Sequence, residues 1–150
     1  MDRIDHAIIR ELDEDARISM AELGKRLGVA PSTAYKRIEK LRAAGIISRF
    51  TIEIDPDYYH DTLVTFLSIQ VDPERKAEVE EALLGLSQVL EVYETLEPAD
   101  FLARVRVSSI SSLKEEILMP LSALDGVREM RTILTVRTLK EGGRIIPEGF

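Results

Sequence analysis

The sequence predicts an α+β protein in which a short helical domain precedes a larger domain of alternating strands and helices. Three observations lead to this prediction. The first 45 residues contain three stretches with apolar side chains at helical spacing. From residue 62 onward, strand-like and helix-like stretches follow one another in the order βαββαβ. The two parts also differ in charge, because residues 1–50 hold ten Lys and Arg against eight Asp and Glu, and residues 51–150 hold ten against nineteen.

The first helix is predicted from an apolar stripe in DRIDHAIIRELDED. Ile4, Ala7, Ile8 and Leu12 recur at spacings of three and four residues, which places them on one face of a helix. Acidic residues at both ends of the stretch are expected to face water. We expect this helix to close the core of a small helical domain.

The second and third helices are separated by a very short connection. Ser19 and Glu22 have the spacing of a capping box, and Gly28 lies where a left-handed C-cap is expected. Pro31 is favoured at the first position of the next helix because it needs no amide donor there. This pattern predicts a helix-turn-helix, although generic three-helix packing explains the apolar stripes equally well.

The polar face of the third helix favours nucleic acid as its partner. Hydroxyl groups near a helix N-terminus suit phosphates or base edges, and Lys or Arg side chains suit guanine or phosphate. A solvated charged face is the alternative interpretation. The candidate contacts to bases or phosphates are Ser32, Thr33, Tyr35, Lys36 and Lys40, and the candidates for holding the DNA backbone are Arg37, Arg42 and Arg49, with packing of the Arg37 stem under the helix as its alternative role.

The N-terminal stretch resembles a known family of DNA-binding proteins. The run LGVAPSTAYKRIEKLRAAGIISRFTIEIDP, preceded by IDHAIIRELDEDARISMAELGKRLG, is similar to the DNA-binding half of the Lrp/AsnC (leucine-responsive, or feast/famine) transcription regulators. The resemblance implies a winged-helix-like helix-turn-helix domain that binds double-stranded DNA. Ala30 departs from the family pattern, which usually has Ser or Thr as the N-cap of the recognition helix, and losing that cap costs about 1 kcal/mol.

A strand without a local partner is predicted after the third helix. Within IISRFTIEID, residues 46–55, the apolar side chains of Phe50, Ile52 and Ile54 share one face. An unpaired apolar strand needs cover, so we expect the same strand of a second subunit to pair with it. Packing on the third helix or on the second domain's sheet are the alternatives. The predicted limits are 1–54 for the helix-turn-helix domain, 55–61 for the linker, 62–140 for the second domain and 141–150 for a C-terminal tail.

The order of elements from residue 62 to residue 140 predicts a ferredoxin-like domain. TLVTFLSIQV alternates, and Asp72 and Pro73 begin a helix in which Ala77, Leu83 and Leu86 should point inward. VLEVYETLE and DFLARVRV follow as paired strands. A second helix should be disturbed at Pro120. In such a sheet the helices cover one face only. The residues predicted for the covered face are Leu63, Leu67, Ile69, Val71, Phe101, Ala103, Val105 and Val107.

The opposite face of the predicted sheet mixes apolar and charged side chains. A half-apolar open sheet face favours face-to-face dimerisation over plain exposure to solvent. We therefore expect a homodimer that assembles further to a tetramer or octamer. The residues predicted for this face are Val64, Phe66, Tyr93, Leu102, Arg104 and Arg106.

The second domain resembles the regulator-of-amino-acid-metabolism domain of the same family. Where family members commonly show Cys-Tyr-x-x-Thr-Gly-x-x-Asp-Tyr-Leu-Leu, this chain has EVYETLEPADFLARV, in which Tyr93 and Asp100 match and Leu96 and Glu97 replace the Thr-Gly pair. The resemblance implies an amino-acid effector site between associated dimers, and a different effector or none are the alternatives. The candidate effector residues are Leu96, Glu97, Ala99 and Asp100.

The composition argues against several other classes of protein. No apolar run approaches the roughly 20 residues of a membrane span, and MDRIDH has no signal-peptide core, so we expect a cytoplasmic protein. Cysteine is absent, and His6 and His60 are the two histidines, so we expect no metal, no cofactor and no enzyme activity. We predict a sequence-specific transcription regulator. A nucleoid architectural protein and a sirohaem-decarboxylase-like enzyme are the alternatives.

Overall fold

The computed structural model describes residues 1–59 and 61–140 and contains two compact units. The first unit covers Met1–Ile54, and the second begins at Asp55. His60 in the predicted linker and the predicted tail, 141–150, lie outside the described residues. The α+β class predicted from the sequence is confirmed.

The first unit consists of three helices around a small apolar core. Helix α1 spans Arg3–Glu14, α2 spans Met20–Leu27 and α3 spans Pro31–Ala43, which confirms the three predicted helices. Burial of their apolar stripes is the main source of stability for such short helices. The buried apolar side chains are Ile8, Leu12, Ile18, Leu23, Ala34, Ile38 and Leu41.

Local hydrogen bonds determine the helix ends, with one difference from the predicted capping pattern. Ser19 Oγ accepts a hydrogen bond from the Glu22 amide at 3.1 Å, which is one half of the expected capping box. The complete box lies at α1, where Asp2 and Asp5 each cap the backbone of the other. Gly28 ends α2 at φ 67°, a left-handed conformation that glycine adopts without steric cost.

Residues 46–55 form no strand within the single chain. A strand is stabilised by hydrogen bonds to a neighbouring strand, and the described part of the chain supplies none to this segment. Its apolar side chains are therefore exposed, as for Phe50 and for Ile52, which is 78% exposed. Pairing with the same segment of a second subunit stays a prediction.

The second unit is built on a four-stranded antiparallel sheet. In space the strands lie in the order β2-β3-β1-β4, which with the βαββαβ chain order confirms the ferredoxin-like arrangement. The central strand β1 pairs on one side with β3 and on the other with β4. The strands are β1 Leu63–Val71, β2 Val89–Glu94, β3 Phe101–Val107 and β4 Val127–Leu134.

Two helices cover one face of this sheet. Helix α4 spans Lys76–Gly85, and the composite helix α5 consists of α-helical Ile110–Ser112, π-helical Leu113–Leu118 and α-helical Met119–Ser122. The π-helical stretch confirms the disturbance expected near Pro120, which has no amide hydrogen for the helical ladder. The buried core comprises Leu67, Ile69, Val71, Val79, Leu83, Phe101, Ala103, Val105, Val107, Leu113, Ile117 and Leu121.

One inward position in α4 was predicted incorrectly. Ala77 is exposed, and Val79 is fully buried in its place. A 3-10 turn at Pro73–Arg75 precedes α4. The fully buried Leu83 lies six residues after Ala77 and four residues after Val79. At 3.6 residues per turn, only the four-residue spacing brings two side chains to the same face of the helix.

Candidate nucleic-acid interface and effector region

Helix α3 turns its apolar face to the core of the first unit and its polar face to solvent. Ala34, Ile38 and Leu41 are buried at spacings of four and three residues, so the opposite side of the helix is free to meet a partner. The structure brings six of the eight candidate DNA contacts together on this helix as exposed side chains: Ser32, Thr33, Tyr35, Lys36, Lys40 and Arg42.

Arg49 and Arg37 differ from these six residues. Arg49 is exposed but lies beyond α3, where it lines a groove of about 150 Å³ beside the Leu12 end of α1. Arg37 lies on α3 but is only partly exposed, and its guanidinium is engaged within the first unit. The eight candidate DNA contacts therefore do not form one continuous surface on α3.

Two carboxylates, one on the N-cap of α1 and one in its first turn, hold the Arg37 guanidinium. Arg37 Nη1 lies 2.6 Å from Asp2 Oδ2 and 2.8 Å from Asp5 Oδ1. Hydrogen bonds from the Arg37 guanidinium and the Asp5 amide lower the pKa of the Asp2 carboxyl to about 2. Burial opposes ionisation of Asp5, yet hydrogen bonds from the Asp2 amide and from Arg37 lower its pKa below the ordinary value. This geometry favours the alternative prediction for Arg37, a role inside the fold.

The remaining cations of α3 are available to a partner. Within the described residues, Lys36 and Lys40 form no ion pair. Arg42 Nη1 lies 3.0 Å from Glu39 Oε1, but both side chains are largely exposed, and such surface pairs contribute little to stability. A phosphate can therefore replace Glu39 as the partner of Arg42 at little cost.

The N-terminus of α3 has no side-chain cap, as the sequence predicts. Ala30 occupies the N-cap position with φ −64° and ψ 146°, and its side chain accepts no hydrogen bond. Its carbonyl oxygen accepts hydrogen bonds from the amides of Thr33 and Ala34 at 2.9 and 3.0 Å. The positive end of the helix dipole therefore lies next to Ser32 and Thr33, where a phosphate is favoured.

Replacement of Ala30 with Ser is expected to raise the free energy of unfolding of the first unit by about 1 kcal/mol. Ala30 already has the extended backbone of an N-cap, so the new hydroxyl can accept from a first-turn amide without rearrangement. Denaturant unfolding followed by far-ultraviolet circular dichroism measures the change. Ala30→Val, which adds bulk but no acceptor, should show no gain, and equal stability of the Ser and Val variants would contradict the prediction.

The loop between β2 and β3 holds the four candidate effector residues in two different environments. Leu96 is 96% exposed and Glu97 is exposed as well. Asp100 Oδ2 accepts a hydrogen bond from the Val71 amide at 2.9 Å, and Ala99 is buried. Ala99 and Asp100 thus anchor the loop, whereas Leu96 and Glu97 are presented to solvent. The structure does not bring the four together as one site.

A small polar cavity beside this loop was not predicted from the sequence. It has a volume of about 30 Å³, and Gln70 Nε2 closes one side by donating a hydrogen bond to the Pro98 carbonyl. Within one chain it has room for little more than water, far less than the few hundred Å³ of a typical ligand pocket. Its side chains lie at alternate positions of β1 and β4, a period that marks the open face in the sequence: Ser68, Gln70, Glu129 and Arg131.

The open face of the sheet is mixed, as predicted. Arg104 Nη2 lies 2.9 Å from Glu91 Oε1, and the Tyr93 hydroxyl donates to Glu91 Oε2 at 3.0 Å. Arg106 lies over the Tyr59 ring, 4.3 Å from its centroid. The apolar side chains of this face are only partly covered within the chain: Val64, Phe66, Leu102 and Ile133.

Two further kinds of feature are absent from residues 1–59 and 61–140. No helix there is long and apolar enough to cross a membrane. No group of three or more His, Asp or Glu side chains in the same residues is placed to hold a metal ion.

Two family models match the chain. An AsnC-type helix-turn-helix domain matches residues 1–42, and an Lrp/AsnC ligand binding domain matches residues 64–145. Together the two matches cover more than half of the chain.

Individual known proteins are similar to the chain over almost its whole length. The HTH-type transcriptional regulator FL11 of Pyrococcus abyssi is 32% identical over 141 residues, which are 94% of this chain and 93% of that protein. The leucine-responsive regulatory protein of Escherichia coli K12 is 30% identical over 149 residues, 97% of this chain and 91% of that protein. The solved structure of Escherichia coli AsnC superposes with a TM-score of 0.89 at 26% identity, covering 98% of this chain and 99% of that one.

Proposed function

The chain belongs to the Lrp/AsnC family of helix-turn-helix transcription regulators, and we propose that it reads its operator by placing α3 in the major groove of DNA. It is a DNA-binding regulator and not an enzyme. One observation carries the proposal about α3. Its exposed face combines two cations that form no ion pair within the described residues, Lys36 and Lys40, with hydroxyls at its N-terminus.

The proposed contacts divide by chemistry. Ser32 and Thr33 lie at the positive end of the helix dipole and suit a phosphate or a base edge. Lys36 and Lys40 are one turn apart and suit guanine or phosphate, and Tyr35 is an exposed neighbour. We assign Arg42 and Arg49 to the DNA backbone, where Lys and Arg contacts position a protein without reading sequence.

We propose that the regulator is a homodimer that assembles further to a tetramer or octamer. Two copies of α3 would enter successive major grooves about 34 Å apart, so operators should be pseudo-palindromic. Two unpartnered apolar surfaces support this proposal: the segment 46–55, with Phe50 and Ile52 exposed, and the open sheet face around Phe66. Each is expected to be covered by the same surface of a second subunit.

Replacement of Ile52 with Lys is expected to raise the dissociation constant of the dimer at least about tenfold. Ile52 is 78% exposed in the single chain, and a Lys there would have to be desolvated inside an inter-subunit strand pair. Sedimentation velocity over a dilution series measures the effect. Met119→Lys serves as the control, since Met119 is also exposed but lies on α5, outside both proposed interfaces. An unchanged dissociation constant of the Ile52→Lys dimer would rule out pairing through this segment.

We further propose that a small effector, such as an amino acid, binds near the β2–β3 loop at a site completed by a second subunit. The match of residues 64–145 to an Lrp/AsnC ligand binding domain supports it. The 30 Å³ cavity in one chain has no room for an amino acid, so walls from another subunit are needed. Calorimetry against the twenty amino acids tests this proposal, and no heat from any of them would support a different effector or a regulator without one.

Selection of bound duplexes from a random DNA pool is the test of the proposed function as a whole. An enriched palindrome is expected from a dimer that reads two half-sites. A pool without enrichment would favour a nucleoid architectural protein, which binds mainly through phosphates.

We also propose a cytoplasmic location and domain limits at residues 54, 62 and 140. Membership of a DNA-binding family supports the proposed location.

A further inference from the structure

Three charged side chains join the start of α1 to the middle of α3. Asp2 Oδ1 accepts from the amides of Ile4 and Asp5, and Asp5 Oδ2 accepts from the Asp2 amide at 2.9 Å. The other oxygen of each carboxylate accepts a hydrogen bond from Arg37 Nη1. Each of the four carboxylate oxygens therefore accepts a hydrogen bond. Two accept from backbone amides at the start of α1, and two accept from the Arg37 side chain on α3. We call this arrangement the Asp2–Asp5–Arg37 clamp.

The clamp restrains α3 at a point close to the proposed DNA contacts. Arg37 directly follows Lys36 and lies three residues before Lys40 on the same helix. A guanidinium held by two carboxylates limits rotation and sliding of the helix, which determine where neighbouring side chains project. The N-terminus of α3 has no side-chain cap at Ala30, so the clamp adds a restraint at the middle of a helix whose first turn lacks one.

Burial of the clamp's side chains favours one arrangement of α1 and α3. The Asp5 side chain is 9% exposed and the Arg37 side chain is 28% exposed. A carboxylate removed from water needs its cationic partner, and removing one member leaves the other uncompensated. Asp5 therefore favours the one position of α3 in which Arg37 reaches it.

We propose that the Asp2–Asp5–Arg37 clamp orients α3 for operator binding, so that two acidic side chains strengthen the affinity of this protein for DNA. Arg37 is then a positioning residue and not a DNA contact. The inference rests on the proposed function, in which α3 reads the operator. It predicts an effect opposite in sign to simple electrostatics, since removal of an acidic charge from a DNA-binding unit ordinarily strengthens binding to the DNA polyanion.

The deciding comparison is between Asp2→Asn and Glu14→Gln in the full-length chain. Both variants remove one negative charge from α1 or its cap, but Glu14 lies at the far end of the helix and forms no ion pair within the described residues. Asn is as good an N-cap as Asp, so α1 should remain capped. The binding probe is a duplex enriched from the random pool by the unmodified protein, measured by fluorescence anisotropy well below the unfolding temperature.

The clamp predicts that Asp2→Asn raises the dissociation constant for this duplex roughly three- to thirtyfold. Glu14→Gln should leave it unchanged or lower it. Equal or tighter binding by Asp2→Asn, matching Glu14→Gln, would overturn the proposal. Thermal unfolding of both variants shows that the measured affinity belongs to the folded protein.

A second measurement separates positioning from direct contact by Arg37. If Arg37 bound a phosphate, Arg37→Gln would reduce the slope of log affinity against log salt by about one. The clamp predicts weaker binding with an unchanged slope, and less than additive losses when Arg37→Gln is combined with Asp2→Asn. A reduced slope would overturn it. If Arg37→Gln does not fold, the comparison of Asp2→Asn with Glu14→Gln decides alone.

Failure of the clamp is distinguishable from failure of the proposed function. A random DNA pool without enrichment would overturn the reading role of α3, and the orienting role of the clamp with it. Weaker binding in Lys36→Ala together with undiminished binding in Asp2→Asn would leave the proposed function standing and overturn the clamp alone.

Discussion

Replacement of Lys36 with alanine is expected to weaken binding to the selected operator by about 1–3 kcal/mol, which corresponds to roughly five- to 150-fold in the dissociation constant. The ammonium group lies on the exposed face of α3 and forms no ion pair within the described residues. It can therefore bind a base edge without first breaking a contact in the protein. A loss of this size is expected for a side chain that reads a base.

The measurement is fluorescence anisotropy with two duplexes, the selected operator and one of random sequence. Lys36→Ala should lose affinity mainly for the operator, which lowers the specificity ratio. Lys114→Ala is the matched control, because it removes the same charge from an exposed position of α5 in the second unit. If Lys36→Ala lost the same affinity for both duplexes, Lys36 would be a phosphate contact. Unchanged affinity for both would remove it from the interface.

Replacement of Leu23 with alanine is expected to destabilise the first unit by about 2–5 kcal/mol. Leu23 is fully buried in the core shared by α1, α2 and α3, so its truncation removes apolar contacts and leaves a cavity. So small a unit has few kcal/mol of stability to lose, because small domains bury a limited share of their surface. We therefore expect a large fraction of the first unit to be unfolded and operator binding to fall in proportion.

Leu27→Ala provides the control for this change. Leu27 lies four residues further along α2 and is only partly buried, so the same truncation should cost considerably less. Thermal unfolding by circular dichroism and operator binding are measured on both variants. Losses of equal size in the two variants would contradict the core assignment of Leu23.

Local sequence patterns were sufficient to predict most of the architecture. The apolar spacing of Ile8 and Leu12, the glycine at the end of α2 and the proline at the start of α3 act through backbone geometry over a few residues. The alternation in β1 and β3 likewise predicted which face is buried, because successive side chains of a strand point to opposite faces. Ala77 was misplaced because it lies six residues before the buried Leu83, which is not a helical spacing, whereas Val79 lies four residues before it.

The arrangement of the candidate sites was only partly predictable from local sequence patterns. The sequence predicted that the candidate contacts on α3 are exposed, since a buried stripe at Ala34, Ile38 and Leu41 requires the polar residues to lie outside. It did not predict that Ala99 and Asp100 anchor the β2–β3 loop while Leu96 and Glu97 project from it. That division depends on a hydrogen bond from the Val71 amide in another strand to Asp100, and such a bond has no fixed spacing along the chain.

The sequence by itself determined the helices, the strands, their apolar faces and the family to which the regulator belongs, because each depends on residues close together or on a long matching pattern. The tertiary structure alone decided the partners of Arg37. Asp2 and Asp5 precede it by 35 and 32 residues, so the pairing exists only because α1 and α3 pack around one core. A basic residue that the sequence counted toward the DNA surface is thereby held by two carboxylates of the same unit.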